Sequence, residues 1–125
     1  MLLPERLKEI TKKYAPLLIS IRHHLHAHPE LSFKEFETCR FIGNQLSEWD
    51  ISFKNIAGTG IEAIIEGSNP SFKTIALRAD MDALPIMEGN DVDYKSKNAG
   101  VMHACGHDVH TTCLLGAAKI LKGMQ

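Results

Sequence analysis

The stretch Met102-His103-Ala104-Cys105-Gly106-His107-Asp108-Val109-His110 decides how this chain is read. It sets a thiol, three imidazoles and a carboxylate within nine residues, and a helical pattern begins directly after it. Val109, Cys113, Leu114, Ala117, Ile120 and Leu121 fall on one face of that amphipathic helix. The chemistry-bearing run thus stands where a loop enters a helix, a place whose free N–H groups and dipole favour a thiolate. Cys105 and His107 flank the single tight bend, Gly106, so both side chains can reach one ion. Thiolate and imidazole are good donors to zinc and are usable by manganese, cobalt or nickel. If the run holds a metal, a hydrolase that activates water follows. If it does not, the sequence says little about chemistry.

Outward from this run, the rest of the chain predicts layered elements. Residues 3–27 read as a helix, with Leu7, Ile10, Tyr14, Leu17, Leu18, Ile21 and Leu25 at spacings of three and four. Pro16 is expected to kink or restart it, and His28-Pro29 to end it. Ser32-Phe33-Lys34-Glu35 has the form of a capping box opening a second helix over 33–48, with Cys39, Ile42, Leu46 and Trp49 on one face. Strands are expected at 51–56, 61–66 and 73–79, the last two joined by a hairpin loop at Gly67-Ser68-Asn69-Pro70. From Asp80 to Gly106 no periodicity appears, and long aperiodic loops inside compact domains are often functional. Helix, helix, three strands, loop, helix predicts an α/β layered domain. Ligand sites in such domains gather at strand ends, where Asp80 and Asp82 follow the third strand.

Composition bounds the function class. With 125 residues the chain suffices for one small domain and not two. A hydrophobic share of 44% and a charged share of 23% are those of a soluble globular protein. The net charge of −1 gives no reason to expect nucleic acid or an anionic membrane as partner. No signal peptide and no membrane-length apolar run is visible. Three unevenly spaced cysteines do not form a disulfide framework, which favours a reducing cytoplasm.

Each candidate residue has a plainer reading. Cys105 and His107 are metal donors, or else a loop cysteine and a solvated histidine. His103 and His110 strengthen the metal reading by proximity. Asp108 is either an N-cap or a metal contact. Asp82 either orients a ligating histidine from behind or caps a turn. His24 and His28 share a helix face, as a metal pair would, but no carboxylate accompanies them as in zinc-protease helices. A capping role near the helix end is the favoured reading. Cys39 and Cys113 lie on apolar faces and are expected to be buried. Gly58-Thr59-Gly60 lacks the lysine and helix of a phosphate loop, and no nucleophile elbow is present.

Five blocks, taken in order, resemble one family. They are Ile21–Phe33, Gly58–Gly60, Leu77–Ile86, Val101–His110 and Leu114–Ala118. Together they resemble the M20 metallopeptidases, and within them the amidohydrolase branch of N-acyl-amino-acid amidohydrolases, hippurate hydrolases and auxin-conjugate hydrolases. The resemblance spans nearly the whole chain, and its last blocks are very specific. It implies the N-terminal portion of a three-layer α/β/α, zinc-exopeptidase-like catalytic domain with a mixed sheet. It implies that Cys105 and His107 are metal ligands. Relatives outside the branch carry a His-x-Asp-Val-Val-Pro block, whose counterpart here is Asp80-Met81-Asp82-Ala83-Leu84-Pro85. Asp82 then takes the orienting Asp position, and Asp80 stands where those relatives have a ligating histidine, so that role is not carried over.

The implied activity is metal-dependent hydrolysis of N-acyl amino acids or peptides. Two divalent ions, zinc or manganese with cobalt or nickel also usable, activate a water in the intact family enzyme, and a glutamate takes its proton. That glutamate belongs to a Glu-Glu pair expected further on, with two later histidines. Family members are several-fold longer, with an inserted lid or dimerisation domain, and a homodimer or homo-oligomer is expected. Residues 1–125 are therefore expected to be part of a catalytic domain, inactive alone. The competing readings are a truncated, non-catalytic remnant that binds metal weakly or not at all, and a structural metal module.

Overall fold

The computed structural model describes residues 2–125, and its elements run helix, helix, hairpin, helix. Helix α1 spans Leu3–Ala27. Pro4 sits in its first turn, where a missing N–H costs nothing. The Glu5 side chain accepts the Leu2 N–H at 3.2 Å. Pro16 lies inside α1, which runs on through it without restarting. The face carrying Ile21 and Leu25 is buried, and packing of such a face outweighs one lost helical hydrogen bond.

Helix α2 spans Phe36–Glu48, and its start differs from the predicted capping box. Its N-cap is Glu35, with no capping bond from its own side chain. The caps come from Glu30 instead, whose carboxylate accepts the N–H groups of Glu37 and Thr38 at 3.1 and 2.7 Å. Phe33, at φ 63°, turns the chain between them.

Strands β1, Phe53–Ile56, and β2, Gly60–Ala63, form an antiparallel hairpin in the register Phe53↔Ala63 to Ile56↔Gly60. Ala57 and Gly58 have positive φ in the turn, and Thr59 Oγ1 donates to Glu35 Oε2 at 2.8 Å, tying the turn to α2. The predicted strand at 73–79 is not formed, nor is its hairpin with 61–66. Ile64, Ile75 and Leu77 stay exposed, and no strand among the described residues lies beside 73–79 to complete a ladder. The chain is thus α/β, with a two-stranded antiparallel sheet among the described residues, consistent with one portion of a larger catalytic domain.

Helix α3 spans His107–Lys122 and packs along α1. A Cβ on Gly116 would lie 2.9 Å from Leu18 Cδ1, so glycine sets this close approach. Ile21, Leu25, Ile42, Leu46, Ile51 and Leu115 make the core, drawn from all three helices and the turn between α2 and β1. Lys119 lies over the rings of Trp49 and Tyr14, 4.4 and 4.9 Å from their centroids, and ties the same helices at the rim.

The 80–106 segment has little regular structure but is firmly tied. Leu84 and Met102 exchange backbone hydrogen bonds of 2.9 and 3.0 Å. Ala83 N–H donates to Glu30 O at 2.8 Å, and Lys97 N–H to Ala27 O at 2.9 Å. Asn98 Nδ2 donates to Pro29 O at 2.7 Å. The loop is thereby laced to the C-terminal end of α1, and both its ends are brought to the start of α3.

Candidate metal centre

Gly106, at φ 88°, is the N-cap of α3 and gives the bend expected between Cys105 and His107. A left-handed backbone is cheap only for glycine. Cys105 is exposed, and its thiol is free. His107 is partly buried in the first turn. Its Nδ1–H donates to Asp82, 2.9 Å from Oδ1 and 3.0 Å from the backbone oxygen. Both acceptors come from one residue, so they fix the ring plane and put the proton on Nδ1. No hydrogen bond among the described residues engages Nε2, whose lone pair is left for another partner. The two ends of the aperiodic loop, Asp82 and His107, do converge.

The other candidates are placed differently. Asp80 pairs with Arg78 at 2.7 Å on the surface, while its backbone oxygen accepts from Thr111 Oγ1 at 3.0 Å. His110 is exposed, its ring centroid 5.9 Å from that of His107. Asp108 is not the N-cap. It lies within the first turn, 1% exposed, and turns inward. Asp108 Oδ2 lies 2.8 Å from His26 Nδ1 and 3.1 Å from Arg22 Nε, the latter an ion pair without hydrogen-bond alignment. His103 is 5% exposed, and neither ring nitrogen has a hydrogen-bond partner among the described residues. Burial pushes its pKa below the ordinary histidine value, despite the nearby Asp108 and Asp82 carboxylates. A buried, unbonded imidazole beside a thiol and an oriented histidine is a donor set that suits a divalent ion. Among the described residues, however, no group of three or more His, Cys, Asp or Glu side chains is placed to hold one.

The histidine cluster of α1 divides by face. His28 Nδ1 lies 2.8 Å from the His24 carbonyl and caps the helix end, in keeping with the capping reading. His24 stacks on Phe41, and burial lowers its pKa, with His28 and Lys97 adding to the effect. His26 is buried and bonds outside the cluster. Its Nε2 lies 2.8 Å from Glu88 Oε1, opposite the contact with Asp108. Neither His26 nor Glu88 was singled out from the sequence. His26 falls one residue from Leu25 on the buried side of α1, which is a usable signal, whereas Glu88 lies in an aperiodic loop and carries none. Burial pushes the Glu88 carboxyl up, but hydrogen bonds from His26, the Ser96 N–H and the Asn90 amide outweigh it and hold the group at about 2. Of the cysteines, Cys39 is buried as expected and burial raises its pKa; Cys113 is exposed, because it sits on the outer side of α3.

Residues 76–125 match the profile of peptidase family M20/M25/M40. Together with the relatives below, this places the chain: it belongs to the M20 peptidase family. Thermostable carboxypeptidase 2 of Saccharolobus solfataricus is 46% identical over 121 residues, which is 95% of this chain and 30% of that protein. The N-acyl-L-amino acid amidohydrolase of Geobacillus stearothermophilus is 44% identical over 122 residues, 97% of this chain and 33% of that protein. Among solved structures, the Bacillus subtilis YXEP protein, described as a dinuclear metal binding peptidase of family M20, superposes with a TM-score of 0.83 at 42% identity. The match covers 90% of this chain and 32% of that one. The chain thus spans about a third of the length of these relatives.

Proposed function

We propose that residues 1–125 are the N-terminal part of an M20-type catalytic domain and supply its first metal-ligand block. The observation that carries this reading is the Asp82–His107 pair, which fixes Nδ1 as the donor and leaves Nε2 as a ligand atom. The Cys105 thiolate and His107 Nε2 would hold the ion, with Asp82 orienting His107 from behind. A divalent ion bound there supplies Lewis acidity for activating water and polarising an acyl carbonyl. Zinc or manganese, as a pair in the whole enzyme, suits the donors best, and cobalt or nickel is usable. The relatives' carboxypeptidase and amidohydrolase activities support hydrolysis of an amide bond, and we infer N-acyl amino acids or short peptides as substrates. A cytoplasmic setting agrees with three free thiols, and a homodimer of the whole enzyme fits the resemblance.

Two ligands are fewer than the three protein donors of a catalytic metal site. The chain alone is therefore expected to bind a divalent ion weakly and to release no amino acid from hippurate or other N-acyl amino acids, with or without added zinc or manganese. Cobalt(II) titration tests the ligand assignment, because thiolate coordination gives a charge-transfer band. That band should vanish in Cys105→Ser and weaken in His107→Ala. Bands unchanged in both variants would sink the assignment. Metal-dependent turnover by residues 1–125 that is lost in Cys105→Ser would show a complete site and overturn the division of labour.

A further inference from the structure

His26 stands 82 residues from Asp108 and 62 from Glu88 in sequence, yet its ring lies between their carboxylates with both nitrogens at 2.8 Å. All three side chains are buried, at 4%, 1% and 4% exposure. An imidazole carries its two nitrogens on different sides of one rigid ring, so a single side chain can meet both carboxylates at once. Glu88 is held ionised by the Ser96 N–H at 2.6 Å and the Asn90 amide at 3.2 Å. Asp108 also meets Arg22 Nε at 3.1 Å and accepts the Val109 N–H at 3.0 Å. Arg22 Nη2 lies 3.4 Å from His26 Nδ1, a longer and weaker contact than the two to the carboxylates. Arg22, whose side chain is 28% exposed, closes this group from the solvent side. The other groups facing His26 are the edge-on Tyr94 ring, 5.5 Å from it between centroids, and the buried His103.

We propose that His26, bridging two buried carboxylates from distant parts of the chain, is the positioning residue of the Cys105–Asp108 segment. It pins the first turn of α3 and the 88–96 loop to α1 through one rigid ring. The consequence for a metal rests on the ligand assignment above. Asp108 directly follows His107, so a charge-assisted bond that immobilises Asp108 also limits where His107 and Cys105 can go. Preorganised ligands bind an ion more tightly than the same ligands on a loose loop.

The test uses the full chain and two readouts. In His26→Gln, amide exchange at Ser96, Val109 and His110 should speed up by about tenfold or more, while the β1–β2 hairpin and α2 keep native protection. Cobalt(II) affinity, read from the thiolate band, should fall by about tenfold or more. Glu88→Gln keeps an acceptor and much of the shape, removes the charge, and carries the same readouts if His26→Gln fails to fold. Equal loss of protection in every element, the mark of an ordinary core residue, overturns the proposal, and so does native protection of the 96–110 amides in a folded variant. If the native chain gives no Cys105-dependent cobalt band, the metal reading above falls, and the exchange comparison still decides the positioning role.

Discussion

Asp82 gives His107 two acceptors, a carboxylate and its own carbonyl, and only the first is charged. In Asp82→Asn the amide oxygen still accepts from Nδ1–H, so the ring keeps its place while Nε2 loses basicity. Metal affinity is expected to fall by about 10–100-fold, with the melting temperature close to native. Competition for zinc against a calibrated chelator measures it, and unchanged affinity would remove Asp82 from the site. Glu88 makes a second residue-scale prediction, through pH. Its folded-state pKa of about 2 lies below that of an exposed glutamate, about 4.3. The folded state binds this proton more weakly than the unfolded state does. The stabilisation is therefore full above the ordinary carboxylate value and is lost as pH falls from there through the folded value. The stability gap between the native chain and Glu88→Gln should shrink over that acidic window and stay flat above it. A gap independent of pH in acid would contradict the depressed value.

Elements meet the candidate site through one bend and one core. At Gly106 nothing lies within 4 Å of an added Cβ, so the effect of Gly106→Ala is purely conformational. Holding alanine at φ 88° costs about 1–2 kcal/mol, and a chain that relaxes to avoid it must move Cys105 relative to His107. Denaturant unfolding should show that loss, accompanied by weaker cobalt binding; a variant as stable as the native chain would mean the bend is not held. Leu115 is 4% exposed, where α3 meets the cluster built by α1 and α2. Leu115→Ala should cost about 2–5 kcal/mol through lost burial and a residual cavity. Because α3 starts with His107, this distant change should also loosen the site. A cost below that range would mean that the α1–α3 seam collapses around the gap.

Across the whole molecule the polar and apolar faces are unequal. The site side is laced by hydrogen bonds from the 80–106 segment. An apolar groove of about 580 Å³ lies between α2, β2, α3 and residues 74–79, lined by Ile42, Ile61, Ile65, Leu77, Met81 and Leu114. Exposed Ile64, Ile75 and Leu77 border it, and a patch of this kind together with unpaired strand edges favours association. The chain is expected to self-associate in solution. Light scattering that finds a monodisperse monomer over a wide concentration range would contradict this.

Periodicity alone located all three helices, because each has an apolar stripe that only burial satisfies: Ile21 and Leu25 in α1, Ile42 and Leu46 in α2, Leu115 in α3. Strands on either side of Gly58 were legible for a similar reason, but their pairing with each other was not, since the loop at Gly67–Pro70 pointed to a hairpin of 61–66 with 73–79. The Cys105-Gly106-His107 bend was legible because glycine admits a backbone that other residues resist. Other features belonged to the tertiary structure. Whether 73–79 is a strand depends on a partner, since a ladder is a property of two segments and not of one. The cap of α2 came from Glu30, brought back by the turn at Phe33, and a local capping pattern could not foresee it. Asp108 carries the same lesson into the site. As a sequence position it is an N-cap or a ligand, and only the arrival of His26 from 82 residues away turns it inward. Spacing along the chain determined which donors share one loop and one helix start. The packing of α3 against α1 decided which of them face each other, because burial in a low dielectric makes charge pairing obligatory, and pairing across elements is invisible until the elements meet.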